Sequence, residues 1–109
     1  MDLNVYQLES RCYARYPDTG RNIIYPALGL AGESGEYVDN IKKAIRDKEI
    51  TNGILSEFRR GKAIDELGDV LWYVANCATE LGITLDTVAE RNLLKLADRK
   101  VNGKKLGSG

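Results

Sequence analysis

The segment from Lys62 to Leu81 repeats its apolar residues with the period of an α-helix, around most of the helix circumference. At about 100° per residue, a broad apolar arc covers one side, while Trp72 lies on the opposite flank. The members of this arc are Ile64, Leu67, Leu71, Val74, Ala75 and Ala78. A helix that is apolar nearly all round is buried in a large core or in an oligomer. Because a chain of 109 residues has only a modest core, the pattern predicts self-association.

The rest of the chain also shows helical periodicity, and no period-2 alternation indicates strands. The predicted helices run from a cap at Asp2 or Asn4 to about Tyr16, from Ile24–Pro26 to Arg46, from Lys62 to Leu81, and from Leu85 to Arg99. Gly82 is expected to end the third helix in the left-handed conformation, and Thr84 to cap the fourth. The charged segment 47–61 is predicted to be a loop with at most one helical turn. The fold class is therefore all-α, a bundle of four to five helices completed by oligomerisation. Residues 1–100 form a single domain, and 101–109 form a flexible tail.

Four acids form two pairs with the same spacing and the same central glycine, Glu33-Ser34-Gly35-Glu36 and Glu66-Leu67-Gly68-Asp69. On a helix, residues three apart project from one face, so each pair places two like charges about one turn apart. Such a pair slightly destabilises a bare helix, and both pairs have apolar neighbours. This arrangement indicates that a cation compensates the acids. Carboxylate oxygens suit Mg²⁺ or Mn²⁺.

Cationic and polar side chains lie on two of the predicted helices. Lys43 shares a helix face with Glu33, Glu36 and Asn40. On the fourth helix, Asn92, Lys95 and Arg99 continue the stripe of Leu85, Val88 and Leu96, near the helix end that favours cations. Carboxylates that hold Mg²⁺, with Lys or Arg to neutralise phosphate oxygens, are the minimum set for phosphoanhydride hydrolysis without a covalent intermediate.

Composition excludes several classes of protein. The 16 Lys and Arg balance 16 Asp and Glu, so no global basic field for a nucleic acid polymer exists. The chain has no His, which argues against a zinc site and against a Cys–His nucleophile. Cys12 and Cys77 are expected to be free thiols in a reducing compartment. No membrane span and no secretory signal are visible, so a cytoplasmic protein is expected.

The sequence resembles the MazG-like all-α nucleoside triphosphate pyrophosphohydrolases, a superfamily that includes dimeric dUTPases and dCTP pyrophosphatases. The resemblance extends from Tyr6 to Arg99 and includes four segments. They are YPD at 16–18, LGLAGESGE at 28–36, DELGDVLWY at 65–73 and ERNLLKLADR at 90–99. The family motif is ExxE followed by ExxD, which here falls on the four acids. The ordered combination with the NxxKLxxR-like segment is more specific than either acid pair alone.

The resemblance implies hydrolysis of a nucleoside triphosphate to the monophosphate and pyrophosphate, as house-cleaning of the nucleotide pool. It implies Mg²⁺, with Mn²⁺ as a substitute, held by Glu33, Glu36, Glu66 and Asp69, with water attacking the α-phosphorus. Contacts to the triphosphate carry over to Lys43, Asn92, Lys95 and Arg99. The base is expected near Tyr73, Asn76, Asn40 or Trp72. A homodimer or homotetramer is the implied assembly.

Simpler interpretations exist for each feature. Lys43 is placed to pair with Asp39 four residues earlier, and Lys95 and Arg99 complement the helix dipole. Trp72 and Tyr73 are more often core or interface residues than platforms for a base. The alternatives to an enzyme are a non-catalytic helical dimerisation module, with the acids as surface residues, and a regulator with the same fold that binds nucleotide or metal without turnover.

Overall fold

The computed structural model describes residues 1–102 and is almost entirely helical. In chain order its elements are α1 (Leu3–Arg11), α2 (Ile24–Arg46), β1 (Ile50–Thr51), β2 (Ile54–Leu55), α3 (Glu57–Glu80) and α4 (Leu85–Val101). The predicted all-α class is confirmed. The predicted flexible tail, apart from Val101 and Asn102, lies outside the described residues.

Helices α2 and α3 are the longest elements and make the most extensive contact in the structure. Their contacts run in opposite directions along the two sequences. Asn40, late in α2, hydrogen-bonds the carbonyl of Arg59, early in α3, and Gly29, early in α2, lies against Tyr73, late in α3. The two helices are therefore antiparallel, which is the arrangement that brings the middle of α2 beside the middle of α3.

The predicted loop between these helices is wrong in part, because it contains a β-hairpin. Ile50 pairs with Leu55 and Thr51 with Ile54, and the turn is Asn52-Gly53, with φ values of 53° and 77°. Positive φ at both turn residues is the geometry that Asn-Gly favours in a two-residue hairpin. Helix α3 then starts at Glu57 instead of Lys62, because the Ser56 side chain accepts a hydrogen bond from the Arg59 amide as an N-cap.

The remaining helix ends follow the predicted caps, with one exception. Asp2 caps α1, Thr84 caps α4, and Gly82 has a φ of 74° after α3. The exception is the end of α1, which comes at Arg11 and not at Tyr16. Tyr16 leaves the helix path because its ring is buried and its hydroxyl donates to Glu80 on α3.

The core is small and lies where α1, α3 and the start of α4 meet. Ala75, Ala78 and Leu85 are its buried members. Gln7 fastens α1 to this region, since its amide donates to the Thr79 hydroxyl at 3.0 Å and the Ile83 carbonyl at 2.9 Å, while its oxygen accepts from the Leu85 amide. A buried amide with every polar atom paired fixes the register of α1 against α3 and α4.

Much apolar surface stays exposed in the single chain. Large exposed apolar residues include Leu28, Val38, Ile45, Ile64, Leu67, Leu71, Leu93 and Leu94. The radius of gyration is 16.5 Å, against about 13 Å for a compact domain of this size. Among the described residues, no helix is long and apolar enough to cross a membrane.

Candidate functional site

One acid pair lies on α2 and the other on α3, the two helices that make the antiparallel contact. Burial, and then the charges of Asp69, Glu36 and Glu66, raise the pKa of Glu33 above its ordinary value. A carboxylate that experiences all three other acids shares one neighbourhood with them. The structure therefore places Glu33 within electrostatic range of the other three acids.

Two of the acids, Glu33 and Asp69, border a cleft of about 300 Å³ together with Trp72 and Tyr73. Glu33 is half-buried, whereas Glu36 and Asp69 are exposed. Glu66 is half-buried, and its Oε1 is a buried oxygen with no hydrogen-bond partner. An unpaired buried carboxylate oxygen carries a desolvation cost that native structures rarely leave uncompensated.

These residues fit a divalent cation by the chemistry of their donors. All are carboxylate oxygens, the ligands that Mg²⁺ and Mn²⁺ prefer, and Oε1 of Glu66 has no hydrogen-bond partner. Within residues 1–102, however, no three or more His, Cys, Asp or Glu side chains are gathered closely enough to enclose a metal ion. The acids are thus neighbours whose rotamers do not form a closed set of ligands.

Tyr73 forms one wall of the cleft, and a glycine makes room for it. A Cβ atom added at Gly29 would lie 2.1 Å from Cε1 of the Tyr73 ring. A larger residue at Gly29 would therefore clash with the Tyr73 ring. Nothing lies within 4 Å of such an atom at Gly32 or Gly35. Burial, and then the charges of Tyr25, Glu33 and Asp69, raise the pKa of Tyr73 above its ordinary value.

A second pocket of about 280 Å³ adjoins the cleft and is lined mainly by aromatic side chains. Trp72 and Tyr73 border both spaces, and their rings meet edge to face with centroids 5.0 Å apart. Tyr13 and Tyr25 form the far side of this aromatic pocket. They come from the segment between α1 and α2 and from the first turn of α2. The sequence reasoning missed them, although the YPD segment at 16–18 was a signal for this region.

The predicted substrate-binding residues lie in different surroundings. Lys43 pairs with Asp39 at 2.9 Å, as the simpler interpretation expects. Asn76 is fully buried; it accepts from Arg11 and donates to the Trp72 carbonyl, so its amide does not reach either pocket surface. Asn40 is likewise buried and pairs with Arg59 through both its amide atoms.

The polar residues of α4 are closer to solvent. Asn92 and Lys95 are exposed, and Arg99 is half-buried and has an interaction partner. Helix α4 packs against α1 and α3. The structure therefore places Glu33 and Asp69 beside Trp72 and Tyr73, and it places the α4 residues on a separate helix.

Comparison with known proteins identifies the family of the chain. The model of the MazG nucleotide pyrophosphohydrolase domain matches residues 26–103, well over half of the chain and inclusive of all four acids. The chain is also 40% identical over 114 aligned residues to a protein named Gene 37 protein from Mycobacterium phage L5, with 100% of this chain and 97% of that protein covered. No solved structure gives a significant match. The chain belongs to the MazG nucleotide pyrophosphohydrolase domain family.

Proposed function

We propose that this protein is a Mg²⁺-dependent nucleoside triphosphate pyrophosphohydrolase that converts a (d)NTP and water into a (d)NMP and pyrophosphate, as cytoplasmic house-cleaning of the nucleotide pool. The observation that supports the proposal is the cleft bordered by Glu33 and Asp69, with Glu36 and Glu66 within electrostatic range of Glu33, beside an aromatic pocket. Membership of the MazG family supports the reaction class.

In this proposal the four carboxylates hold the cation and orient the polyphosphate toward it. Bound Mg²⁺ (or Mn²⁺ in its place) would supply positive charge that offsets the phosphate oxygens and the acids. The water oxygen forms a bond to the α-phosphorus as the bond from that phosphorus to the bridging oxygen breaks, and pyrophosphate leaves. A carboxylate of the set accepts the water proton, since the chain has no His.

Cations of the chain would neutralise the rest of the triphosphate. Asn92, Lys95 and Arg99 on α4 and Lys43 on α2 are proposed for this role. For Lys43 it requires exchange of the Asp39 carboxylate for phosphate, which is feasible because the lysine side chain is 45% exposed. Trp72 and Tyr73 separate the acidic cleft from the aromatic pocket and so fix where the polyphosphate ends.

We also propose that the protein works as a homodimer or homotetramer. The exposed apolar residues of α2, α3 and α4 and the large radius of gyration support this assembly. Light scattering should give a mass at or above twice 12.1 kDa. A clean monomer at micromolar concentration would contradict the assembly without affecting the assignment of the acids.

The test of the activity is pyrophosphate release from a panel of standard, oxidised and methylated triphosphates, in Mg²⁺ and in Mn²⁺. Glu36→Gln and Asp69→Asn should abolish release while the circular dichroism spectrum stays unchanged. Glu57→Gln is a matched control, because Glu57 is an exposed acid in the first turn of α3, far along the helix from the pairs. Folded protein that releases no pyrophosphate from any member of the panel would sink the enzyme and leave a non-catalytic nucleotide binder or dimerisation module.

A further inference from the structure

Glu80, at the end of α3, is the most heavily hydrogen-bonded carboxylate in the described part of the chain. Its two oxygens accept from Arg11 Nη2 at 2.8 Å, from the Tyr16 hydroxyl, from the Gly20 amide at 2.9 Å and from the Asn22 amide at 2.8 Å. Its side chain is 1% exposed. Burial alone raises the pKa of Glu80, but these donors outweigh it and lower the pKa to about 2.

All of these donors come from α1 or from the segment 12–23 that joins α1 to α2. This segment has no regular secondary structure, and its backbone turns sharply, with φ values of 53° at Asp18 and 97° at Gly20. Its hydrogen bonds to Glu80 are therefore its main attachment to α3. The Asn22 side chain extends this attachment into α2, because its oxygen accepts from the Tyr25 amide and its nitrogen donates to the Pro17 carbonyl.

The segment held in this way carries the outer wall of the aromatic pocket. The rings of Tyr16 and Tyr25 stack with centroids 5.2 Å apart and an interplanar angle of 13°. Tyr16, through Arg11 and Glu80, is fixed to α3, which supplies the opposite wall at Trp72. Because flexible loops alone rarely hold two rings in a fixed arrangement, the spacing between the pocket walls depends on the Glu80 contacts.

We infer that Glu80 is a positioning residue that holds the 12–23 segment as one wall of a pocket for the nucleobase of the substrate. This inference rests on the proposed function. The aromatic pocket shares Trp72 and Tyr73 with the acidic cleft, so one ligand can place its phosphates against the acids and a flat ring between the aromatic walls. At about 280 Å³ the pocket is small among ligand sites, and it suits a single planar ring system. Stacking on aromatic side chains is the usual way in which proteins bind bases.

The pocket can be tested without turnover, because Trp72 is the chain's single tryptophan and lies in its wall. In EDTA, titration with AMP, GMP, CMP or UMP should quench the Trp72 fluorescence for at least one base. Ribose 5-phosphate, which has the sugar phosphate but no base, should leave the fluorescence unchanged. Two results would overturn the pocket as a base site. One is equal quenching by ribose 5-phosphate and by the nucleotides, and the other is that no probe quenches the fluorescence.

The positioning role is tested with Tyr16→Phe, which keeps the stacked ring and removes only the hydroxyl that contacts Arg11 and Glu80. Tyr16→Phe loses the hydrogen bond that the hydroxyl accepts from Arg11 and the one that it donates to Glu80, so the Kd for the nucleotide, measured by quenching, should rise about tenfold. Glu80→Gln should act in the same direction, since its amide nitrogen would face hydrogen-bond donors. Tyr37→Phe is the matched control, because Tyr37 lies on α2 outside the pocket lining.

The kinetic readout separates positioning from general loss of structure. For a triphosphate that the protein hydrolyses, Tyr16→Phe should raise KM about tenfold with kcat within about twofold of the parent. An equal change in Tyr16→Phe and Tyr37→Phe, or a loss confined to kcat, would overturn the inference. If nucleotides quench Trp72 but no triphosphate is hydrolysed, the hydrolase proposal fails while the base pocket stands. If triphosphates are hydrolysed and Tyr16→Phe binds nucleotides as the parent does, the inference fails alone.

Discussion

The contact between Gly29 and Tyr73 can be tested by comparing Gly→Ala at Gly29 with Gly→Ala at Gly61, because the two changes should affect stability differently. Gly29→Ala adds a Cβ atom 2.1, 2.4 and 2.6 Å from three carbons of the Tyr73 ring. Carbon atoms pack favourably at about 3.5–4.0 Å, so the ring has to move by more than 1 Å. Gly61→Ala makes the same change inside α3, where nothing lies within 4 Å of the new atom.

The magnitudes follow from two opposing effects. Replacing Gly by Ala inside a helix stabilises it by roughly 1 kcal/mol, and this gain applies at both positions. Forcing extra carbon into a packed contact costs about 1–3 kcal/mol, and this cost applies only at Gly29. We therefore expect Gly61→Ala to be about 1 kcal/mol more stable than the parent, and Gly29→Ala to be between equal in stability and about 2 kcal/mol less stable.

Urea unfolding followed by circular dichroism, at one protein concentration for all variants, measures these differences. Because the Tyr73 ring meets Trp72 edge to face, Gly29→Ala should also shift the Trp72 fluorescence, whereas Gly61→Ala should not. In a Tyr73→Leu background the clash with the ring is absent, so Gly29→Ala should stabilise the protein by the roughly 1 kcal/mol expected for Gly→Ala in a helix. A double-mutant cycle with no coupling energy, or equal stabilisation by both Gly→Ala changes in the parent, would refute the packing of Tyr73 over Gly29.

Three further predictions concern ionised side chains. Because the pKa of Glu80 is about 2 against an ordinary 4.5, ionised Glu80 stabilises the fold fully above about pH 4.5, and this contribution is lost as the pH falls toward 2. Urea unfolding at a series of pH values should show the free energy of unfolding fall by at most about 3 kcal/mol over this range. The Glu80→Gln variant should not show this fall. Glu66→Gln removes the charge from a carboxylate with an unpaired buried oxygen, so without metal it should stabilise the protein by about 1 kcal/mol and raise the melting temperature. In millimolar Mg²⁺ the melting temperature of the parent should rise further, and that of Glu66→Gln should not. Arg59→Met should destabilise by about 1–3 kcal/mol, because Arg59 is buried and pairs with Asp47 at 2.9 Å, whereas the same change at the exposed neighbour Arg60 should be nearly neutral in the same unfolding assay.

The helices were largely predictable because their signals are local. Apolar periodicity, the Asp2 and Thr84 caps and the Gly82 ending all act within a turn or two of the chain, and the structure contains each of them. The hairpin was missed because strands of two residues are too short to show alternation. Its one strong signal was Asn52-Gly53 between apolar residues, which the charge of the surrounding segment obscured.

In the candidate site, too, the local features were predictable and the long-range contacts were not. The placement of each acid pair on one helix was predictable, since the apolar periodicity indicated both helices and residues three apart share a face. The Glu80 contacts were not, because they join residues 58 to 69 positions apart through a segment without periodicity. The burial of Asn76 was missed for a related reason, because its partner Arg11 lies 65 positions away.

Exposed apolar residues lie next to one of the acids along α3, so we expect assembly to depend on charge. Leu67 and Ile64 are about half-exposed and flank Glu66 along the helix. A second copy that covers them would also remove water from around Glu66 and its neighbours, which strengthens the repulsion among the carboxylates. Assembly without a cation would then be penalised, and a cation that binds the acids would relieve the penalty. We expect Mg²⁺ to shift the protein toward the larger species in light scattering, compared with EDTA, and Glu66→Gln to assemble equally well in both. Equal assembly of the parent with and without Mg²⁺ would show that the apolar interface and the acids are independent.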